Sequence, residues 1–234
     1  MTEFVRFPKT PHLVWLGAGK PRDDKVLSSV GAEDLLSHAV VVEEKLDGAN
    51  LGISVGSDLV PRVQNRGAYV SLESAHPQFK PLRHWLSARR QSLIDALTPE
   101  MILFGEWCYA KHSIQYTRLP DWFVAFDVYD HGAGKFWSAE RRDALVLEIG
   151  LAVVPRLGQG KFDLEDMKRL LGRSRFADGP AEGLYIRWDC GGYLEQRAKL
   201  VRAEFTQAIG EHWTRASIRP NHLAPAHAAH HRFF

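Results

Sequence analysis

The hydrophobic positions of the chain follow two patterns, and the first predicts β-strands. Short runs rich in β-branched and aromatic residues are bounded by Gly, Pro, Asp or Asn, which is typical of strands. Such runs occur at residues 40–44, 51–55, 101–107, 122–129, 184–188 and 193–201. We therefore expect at least six strands, spread over most of the chain.

The second pattern is a helical spacing of apolar residues, which predicts helices at residues 78–97, 139–149, 164–171 and 202–215. At the third of these, Asp163 stands where an N-cap is expected and Gly172 follows as a stop signal. Strands and helices are interspersed without regular βαβ alternation. The sequence therefore predicts an α+β domain of mostly antiparallel sheets flanked by helices.

Composition narrows the class of protein without identifying it. The 234 residues suffice for one large domain or two small ones, and 45% hydrophobic with 25% charged residues is ordinary for a globular protein. A formal charge of +2 means that nucleic-acid binding would need a local basic face. Two cysteines argue against a disulfide scaffold and against a four-cysteine zinc site. No membrane-length apolar run or signal peptide is recognisable, so we expect a cytoplasmic protein without a membrane partner.

The segment Lys45-Leu46-Asp47-Gly48 offers the strongest chemical signal. It ends an apolar run, and Asp and Gly favour a tight turn directly after the lysine. A lysine held in a cleft becomes a nucleophile if burial or neighbouring cations lower its pKa. The alternative is an ordinary junction between a strand and a turn.

Three further segments have both a structural and a functional interpretation. Arg66, in a turn with Asn65 and Gly67, either belongs to a simple hairpin loop or reaches phosphate or ribose. Glu106 follows an apolar strand and either forms a surface salt bridge or accepts a hydrogen bond from a ribose hydroxyl. Phe126 either lies in the core or stacks on a purine, and strand alternation places it on the face opposite Asp127.

Two charged segments follow near the end of the predicted sheets. Glu182, before a glycine and an apolar strand, is a candidate carboxylate for a magnesium site. Arg197 and Lys199 have the two-residue spacing that places them on one strand face. That face could hold the α-phosphate and help to lower the pKa of Lys45, or it could be a solvated basic strand.

Taken in this order, the segments resemble the motif series of the covalent nucleotidyltransferase superfamily, which includes ATP-dependent ligases and mRNA capping enzymes. Within it the chain most resembles RNA ligases of the RNA ligase 2-like group. The similar segments are residues 45–50, 104–107 with 111–114, 126–127, 182–183 and 197–199. The resemblance covers about residues 38–205.

The resemblance implies an ATP-grasp-like adenylation domain that uses ATP and Mg²⁺ or Mn²⁺. It implies an ATP-dependent RNA ligase that joins 5′-phosphate and 3′-hydroxyl ends through lysyl-AMP and RNA-adenylate, in RNA repair. The implied catalytic residue is Lys45. The implied nucleotide-binding residues are Glu44, Lys45, Asn50, Arg66, Glu106, Phe126, Arg197 and Lys199, and the implied metal-associated residues are Glu182 and Asp127.

The resemblance also implies an organisation. We expect residues 1–37 to pack on a catalytic core at 38–201 and residues 202–220 to be helical, with no OB-fold domain. The His-rich composition of the end of the chain separately predicts that residues 221–234 form a mobile tail rather than a metal site. Arg197 departs from the lysine that the family usually has there. Without an OB-fold or other accessory domain, RNA binding would need an accessory RNA-binding protein or a basic surface such as Arg83, Arg89 and Arg90. A kinase or phosphatase that heals RNA ends is a further expected partner.

Other classes of protein stay open at this point. A DNA ligase and a GTP-dependent guanylyltransferase share the motifs, although both normally need an OB-fold domain. A non-catalytic member of the family would bind nucleic-acid ends without joining them. A fourth alternative is an enzyme that transfers AMP or GMP to an acceptor other than nucleic acid.

Overall fold

The computed structural model describes residues 4–19, 21, 25–73, 76–207 and 218–225. Within them lie ten strands, five α-helices and a 3₁₀ helix at Pro77–Phe79. The strands are β1 Val40–Lys45, β2 Ala49–Val55, β3 Pro61–Gln64, β4 Met101–Trp107, β5 Phe123–Asp130, β6 Lys135–Phe136, β7 Ala152–Val153, β8 Arg156–Gly160, β9 Gly183–Cys190 and β10 Tyr193–Val201. The helices are α1 Ser29–Ser37, α2 Leu82–Ala96, α3 Ala139–Ile149, α4 Leu164–Leu170 and α5 Ala203–Gln207.

The strands form two sheets. One sheet has four antiparallel strands in the order β10-β9-β1-β8. The other has the antiparallel order β3-β2-β4-β5-β6, and β7 pairs in parallel with β5. The prediction of an α+β fold with mostly antiparallel sheets is confirmed.

Strand alternation explains how β1 serves both the core and the site. Val40 and Val42 are buried in the core of the four-stranded sheet, together with Leu35 of α1 and Met167 of α4. Successive side chains of a strand point to opposite faces, so Glu43 and Lys45 face the other way. The six-stranded sheet has its own core, which includes Trp85 of α2 and Val146 of α3.

Local signals account for most helix boundaries. The predicted helix at 78–97 is divided, because α2 begins after Pro81, and proline is not tolerated inside a helix. Helix α3 has the predicted bounds and ends at Gly150, which has a φ of 78°. Asp163 is confirmed as the N-cap of α4: its side chain accepts from Asp166 N, and the Asp166 side chain accepts from Asp163 N.

Five elements were not predicted: α1, β3, β6, β7 and β8. Strands β6 and β7 have two residues each, too few for a recognisable pattern. Strand β8 reads RLGQG, and glycine and glutamine obscure its strand character. It forms because β1 supplies a ladder of partners, pairing Val40 with Gly160 and Val42 with Gly158.

The segments that flank residues 38–201 pack on the two sheets. Phe7 is buried against Phe104 and Phe126, and Leu13 N donates to Lys199 O over 2.7 Å. Helix α5 lies within the predicted helix at 202–215, of which residues 208–215 lie outside the described residues. Among the described helices, none has the length and apolarity needed to span a bilayer.

The prediction of a mobile tail from residue 221 is wrong for residues 221–225. Asn221 is 2% exposed, its Nδ2 donates to Cys108 O and Ala110 O, and its Oδ1 accepts from Tyr116 N. These three partners lie on the loop after β4, and the composition of the segment itself, which is dominated by His and Ala, does not reveal them. Residues 226–234 lie outside the described residues.

Candidate active site

A cavity of about 290 Å³ receives side chains from both sheets, which places it at the lower end of the usual size range for small-molecule sites. Eight of the predicted site residues line it: Glu44, Lys45, Asn50, Arg66, Glu106, Phe126, Glu182 and Lys199. Phe7 and Lys9 of the N-terminal segment line it as well. The structure therefore brings together residues that are up to 192 positions apart, from Phe7 to Lys199.

Lys45 ends β1 beside the start of β9. The antiparallel register sets Lys45 opposite Gly183, which brings Glu182 next to the amine. Lys45 Nζ donates to Glu182 Oε2 over 2.7 Å. Burial lowers the pKa of Lys45, but the carboxylates of Glu182 and Glu106 raise it more, so that it lies above the ordinary value. The expectation that neighbouring cations lower this pKa is wrong for the protein alone, where two carboxylates surround the ammonium.

Glu106 reaches the cavity from the other sheet, on β4. Its Oε1 accepts from Gly48 N over 3.1 Å, which ties the carboxylate to the turn after Lys45. Burial raises the pKa of Glu106 to about 7, the nearby Lys45 opposes this, and the negative charge of Glu182 adds to it. Near neutral pH this carboxyl group can therefore both donate and accept a hydrogen bond.

The turn after Lys45 is fixed by close contacts. A Cβ atom on Gly48 would lie 2.7 Å from Trp107 O, so a glycine is required there. Asp47 Oδ2 accepts from Ser113 N over 2.6 Å and from Ile114 N over 3.0 Å. Asp47 was not assigned a role from the sequence, and it holds the loop after β4 against the turn that follows Lys45.

Asn50 and Arg66 are polar residues of the cavity wall. Asn50 Oδ1 is buried and has no hydrogen-bond partner within the described residues. Arg66 projects from a turn in which Asn65 Oδ1 accepts from Gly67 N and Ala68 N over 2.8 and 2.9 Å. An acceptor that lacks a donor, beside cations, suits a ligand with hydroxyl groups and phosphates.

Glu44 lines the cavity, but its carboxylate is committed elsewhere. Oε1 accepts from Ser174 Oγ over 2.5 Å, and Oε2 accepts from Arg175 N over 2.8 Å. Burial raises the pKa of Glu44 more than these hydrogen bonds lower it. Successive side chains of a strand point to opposite faces, so Glu44 points away from Lys45. The Glu44 side chain therefore anchors the loop before β9.

Asp127 and Arg197 do not line the cavity, contrary to expectation. Asp127 is fully buried, with Oδ1 3.0 Å from Arg187 Nη1 and Oδ2 3.0 Å from Arg197 Nη1. Tyr185 OH donates to the same Oδ2 over 3.2 Å. Arg197 also lies over the rings of Phe7 and Phe136. Because the Asp127 carboxylate is neutralised by two guanidinium groups, the metal-ligand hypothesis for it is wrong, and Arg197 is engaged with Asp127 rather than directed at a phosphate.

A second group of missed residues lies behind Phe126. Arg142 of α3 pairs with Glu43 of β1 over 2.5 Å. Phe126 O accepts from both Arg142 Nη1 over 2.6 Å and Arg187 Nη1 over 3.2 Å. Arg142 occupies a buried position of α3 between Ala139 and Val146. Arg142 has the spacing of the apolar residues that α3 buries. In the sequence, an arginine at such a position indicates a buried carboxylate partner.

The carboxylates of the cavity suit a divalent cation that binds together with a phosphate-bearing substrate. Within the described residues, no group of three or more His, Cys, Asp or Glu could hold a metal ion. Glu182 and Glu106 are the carboxylates of the cavity that lie nearest to Lys45. Mg²⁺ typically keeps several waters and takes one or two carboxylates together with substrate phosphates, which matches this arrangement.

Two mostly antiparallel sheets around a lysine, two carboxylates and an aromatic ring agree with the nucleotidyltransferase domain that the sequence motifs resemble. The chain belongs to the RNA ligase family, whose model matches residues 38–201.

Solved structures agree with this assignment at the level of the fold. Naegleria gruberi RNA ligase with PPi is 20% identical, with a TM-score of 0.58 over 76% of this chain and 53% of that chain. A variant of the same enzyme with ATP and Mn is 19% identical, with a TM-score of 0.57 over 75% of this chain and 53% of that chain. This chain thus spans about half the length of these structures. No curated protein sequence matches it.

Proposed function

We propose that this chain is an ATP-dependent RNA ligase that joins 5′-phosphate and 3′-hydroxyl ends through lysyl-AMP and RNA-adenylate, in cytoplasmic RNA repair. The observation that carries the proposal is the position of Lys45. Its amine lies in a cavity, 2.7 Å from a carboxylate, with cations and an aromatic ring on the surrounding walls. An ordinary lysine at a strand end would extend into solvent.

The first step is nucleophilic. Lys45 Nζ attacks the α-phosphorus of ATP, so an N–P bond forms, the P–O bond to pyrophosphate breaks and lysyl-AMP remains. The charge that develops on the phosphate oxygens needs nearby cations, and Lys199 and Arg66 supply them from two walls of the cavity. Arg197 is left out of this set because it pairs with Asp127.

The lysine must lose a proton before it attacks. Glu182 Oε2 already accepts a hydrogen bond from Nζ and is the acceptor placed for that proton. Burial raises the pKa of Glu182, which makes its carboxylate a stronger base than an exposed one. Charge neutralisation at the phosphate oxygens is what Mg²⁺ or Mn²⁺ would supply beside Glu182.

The remaining residues position the nucleoside. Phe126 stacks on the adenine, Glu106 accepts from the ribose, and the unpartnered Asn50 Oδ1 accepts from the nucleotide or from the RNA end. ATP and Mn occur together in structures of the Naegleria gruberi RNA ligase, which supports the same ligands here. In the later steps the AMP passes to a 5′-phosphate and a 3′-hydroxyl displaces it. An end-healing kinase or phosphatase would supply such ends.

The test is transfer of label from ATP. We expect the protein to retain label from α-labelled ATP with Mg²⁺ or Mn²⁺, and not from γ-labelled ATP, on denaturing electrophoresis. Lys45→Ala should abolish labelling, because without the nucleophile nothing can form the N–P bond. Lys168→Ala is the matched control, because it removes a lysine that pairs with Glu165 on the surface of α4.

The outcomes separate the alternatives. Labelling by ATP followed by joining of 5′-phosphorylated RNA supports the proposal. Labelling by GTP alone would indicate a guanylyltransferase, and joining of DNA in preference to RNA would indicate a DNA ligase. Label that persists in Lys45→Ala would show that another residue carries the nucleotide. Absence of label with either nucleotide would contradict the proposed enzyme.

A further inference from the structure

Three loop segments outside the cavity carry a concentration of cations. They are the loop after β4, the loop before β9 and residues 218–225. Their basic members form what we call the basic rim: Lys111, Arg118, Arg173, Arg175 and Arg219. Arg118, Arg173, Arg175 and Arg219 are exposed and Lys111 is partly buried. Within the described residues, Asp178 is the single carboxylate that forms an ion pair with any member.

Backbone hydrogen bonds make the three segments one surface. Lys111 N donates to Arg219 O over 2.8 Å, and Arg118 N donates to Phe176 O over 3.2 Å. The Arg118 side chain crosses the same junction, where Nε donates to Arg175 O over 3.1 Å. The cations therefore keep fixed positions relative to one another, although they come from distant parts of the sequence.

The rim is also tied to the residues on either side of the nucleophile. Before Lys45, the Glu44 carboxylate accepts from Ser174 Oγ and Arg175 N. After it, the Asp47 carboxylate accepts from Ser113 N and Ile114 N. A polyanion held on the rim would therefore be held in register with Lys45.

We propose that the basic rim binds the phosphate backbone of the RNA strand whose end is joined at Lys45. Arginine is suited to this because its planar guanidinium matches phosphate geometry, and backbone contacts position a nucleic acid without reading its sequence. The proposal rests on the proposed ligase function and gives it a substrate surface. It replaces the α2 surface expected from the sequence, because Arg89 there pairs with Asp121 over 2.6 Å and lies over the Trp85 ring.

The test compares two variants that lose the same charge. Arg175→Gln with Arg219→Gln removes two rim cations whose side chains make no hydrogen bond or ion pair within the described residues. Arg83→Gln with Arg90→Gln removes two exposed cations of α2 and is the matched control. The probe is a fluorescein-labelled RNA with a 5′-phosphate, as a single strand and in a nicked duplex, titrated at several salt concentrations.

For the rim variant we expect Kd to rise about tenfold and the slope of log K against log salt to fall by roughly 1.5. Self-adenylylation with ATP should remain at the wild-type level. Arg175→Lys with Arg219→Lys should restore the wild-type slope, since the charge returns.

Unchanged RNA binding in the rim variant, or an equal loss in the α2 control, would overturn the proposal. So would wild-type protein that binds neither RNA. Absence of self-adenylylation in a protein whose RNA binding depends on the rim would contradict the ligase function and leave the RNA surface standing.

Discussion

Two charged clusters meet on β1, and they differ in how completely their charges are matched. Glu43 and Lys45 lie two positions apart and share one face of the strand. Around Glu43 the carboxylates and guanidinium groups neutralise one another: Glu43 with Arg142, and Arg187 with Asp127. Around Lys45 two carboxylates, Glu182 and Glu106, face one ammonium.

This difference distinguishes a cluster that supports the structure from the cluster at the candidate active site. The matched cluster directs two arginines at Phe126 O and so fixes an aromatic ring of the cavity. In the cluster around Lys45, burial raises the pKa of Glu106 to about 7 and the negative charge of Glu182 adds to this, which leaves the charge of Glu106 responsive to a ligand. Buried charge by itself therefore does not mark an active site; incomplete matching next to a cavity does.

Arg187→Met should have the largest effect on stability. The substitution leaves the Asp127 carboxylate with one fewer partner and removes donors from Phe126 O and Trp137 O. Removing one partner of a buried ion pair costs roughly 3–5 kcal/mol, and we expect urea unfolding to show a loss of this size. Asp127→Leu added to Arg187→Met should recover part of it. A loss below about 1 kcal/mol would show that the cluster is not a structural support.

Glu106→Gln should have an intermediate effect that depends on pH. The folded pKa of Glu106, about 7, lies above its ordinary value, so the folded protein binds the proton more tightly. Its contribution to stability is then present below about pH 4.5 and is lost as pH rises through about 7.

We expect Glu106→Gln to be more stable than wild type at pH 8, by about 2 kcal/mol, with the gain shrinking toward pH 5. Urea unfolding from pH 5 to pH 8 measures this difference. Glu165→Gln, at an exposed glutamate of α4, is the control and should show no such trend. A gain that is the same at every pH would contradict the raised pKa.

Asp143→Asn should have the smallest effect. Asp143 pairs with Arg142 and Arg156 at the solvent edge of the matched cluster, where its side chain is 26% exposed. Arg142 keeps its bonds to Glu43 and to Phe126 O, so the free energy of unfolding should fall by less than about 1 kcal/mol. A loss as large as that of Arg187→Met would mean that the cluster depends on its exposed edge.

Local patterns predicted what depends on neighbours in sequence. Helix α3 and the N-cap Asp163 follow from spacing and capping, which act within a few residues. Strand β1 and the turn at Gly48 follow in the same way. The sequence therefore identifies the segments that surround the cavity.

The predictions that failed concern residues whose charged partners lie far away in the sequence. The ladder between β4 and β5 has a register shift at Phe126, which simple alternation does not anticipate. The arginines that neutralise Asp127 lie 60 and 70 positions away. The pKa of Lys45 depends on Glu182, which is 137 positions away and adjacent only through the register of β1 with β9. The two-residue periodicity of a strand predicts which face a residue occupies. Charge pairs between strands can be predicted only when the order of the strands in the sheet is known.

The hydrogen bonds of Asn221 and of residues 11–13 extend the folded unit beyond the segment that the family model matches. The family match ends at Val201 and begins at His38, yet Phe7 and Lys9 line the cavity and Asn221 braces the loop that Asp47 holds. A fragment cut at the family boundaries would keep every motif residue. It would expose the edge of β10 where Leu13 N donates to Lys199 O, and it would leave Cys108 O and Ala110 O without their donor.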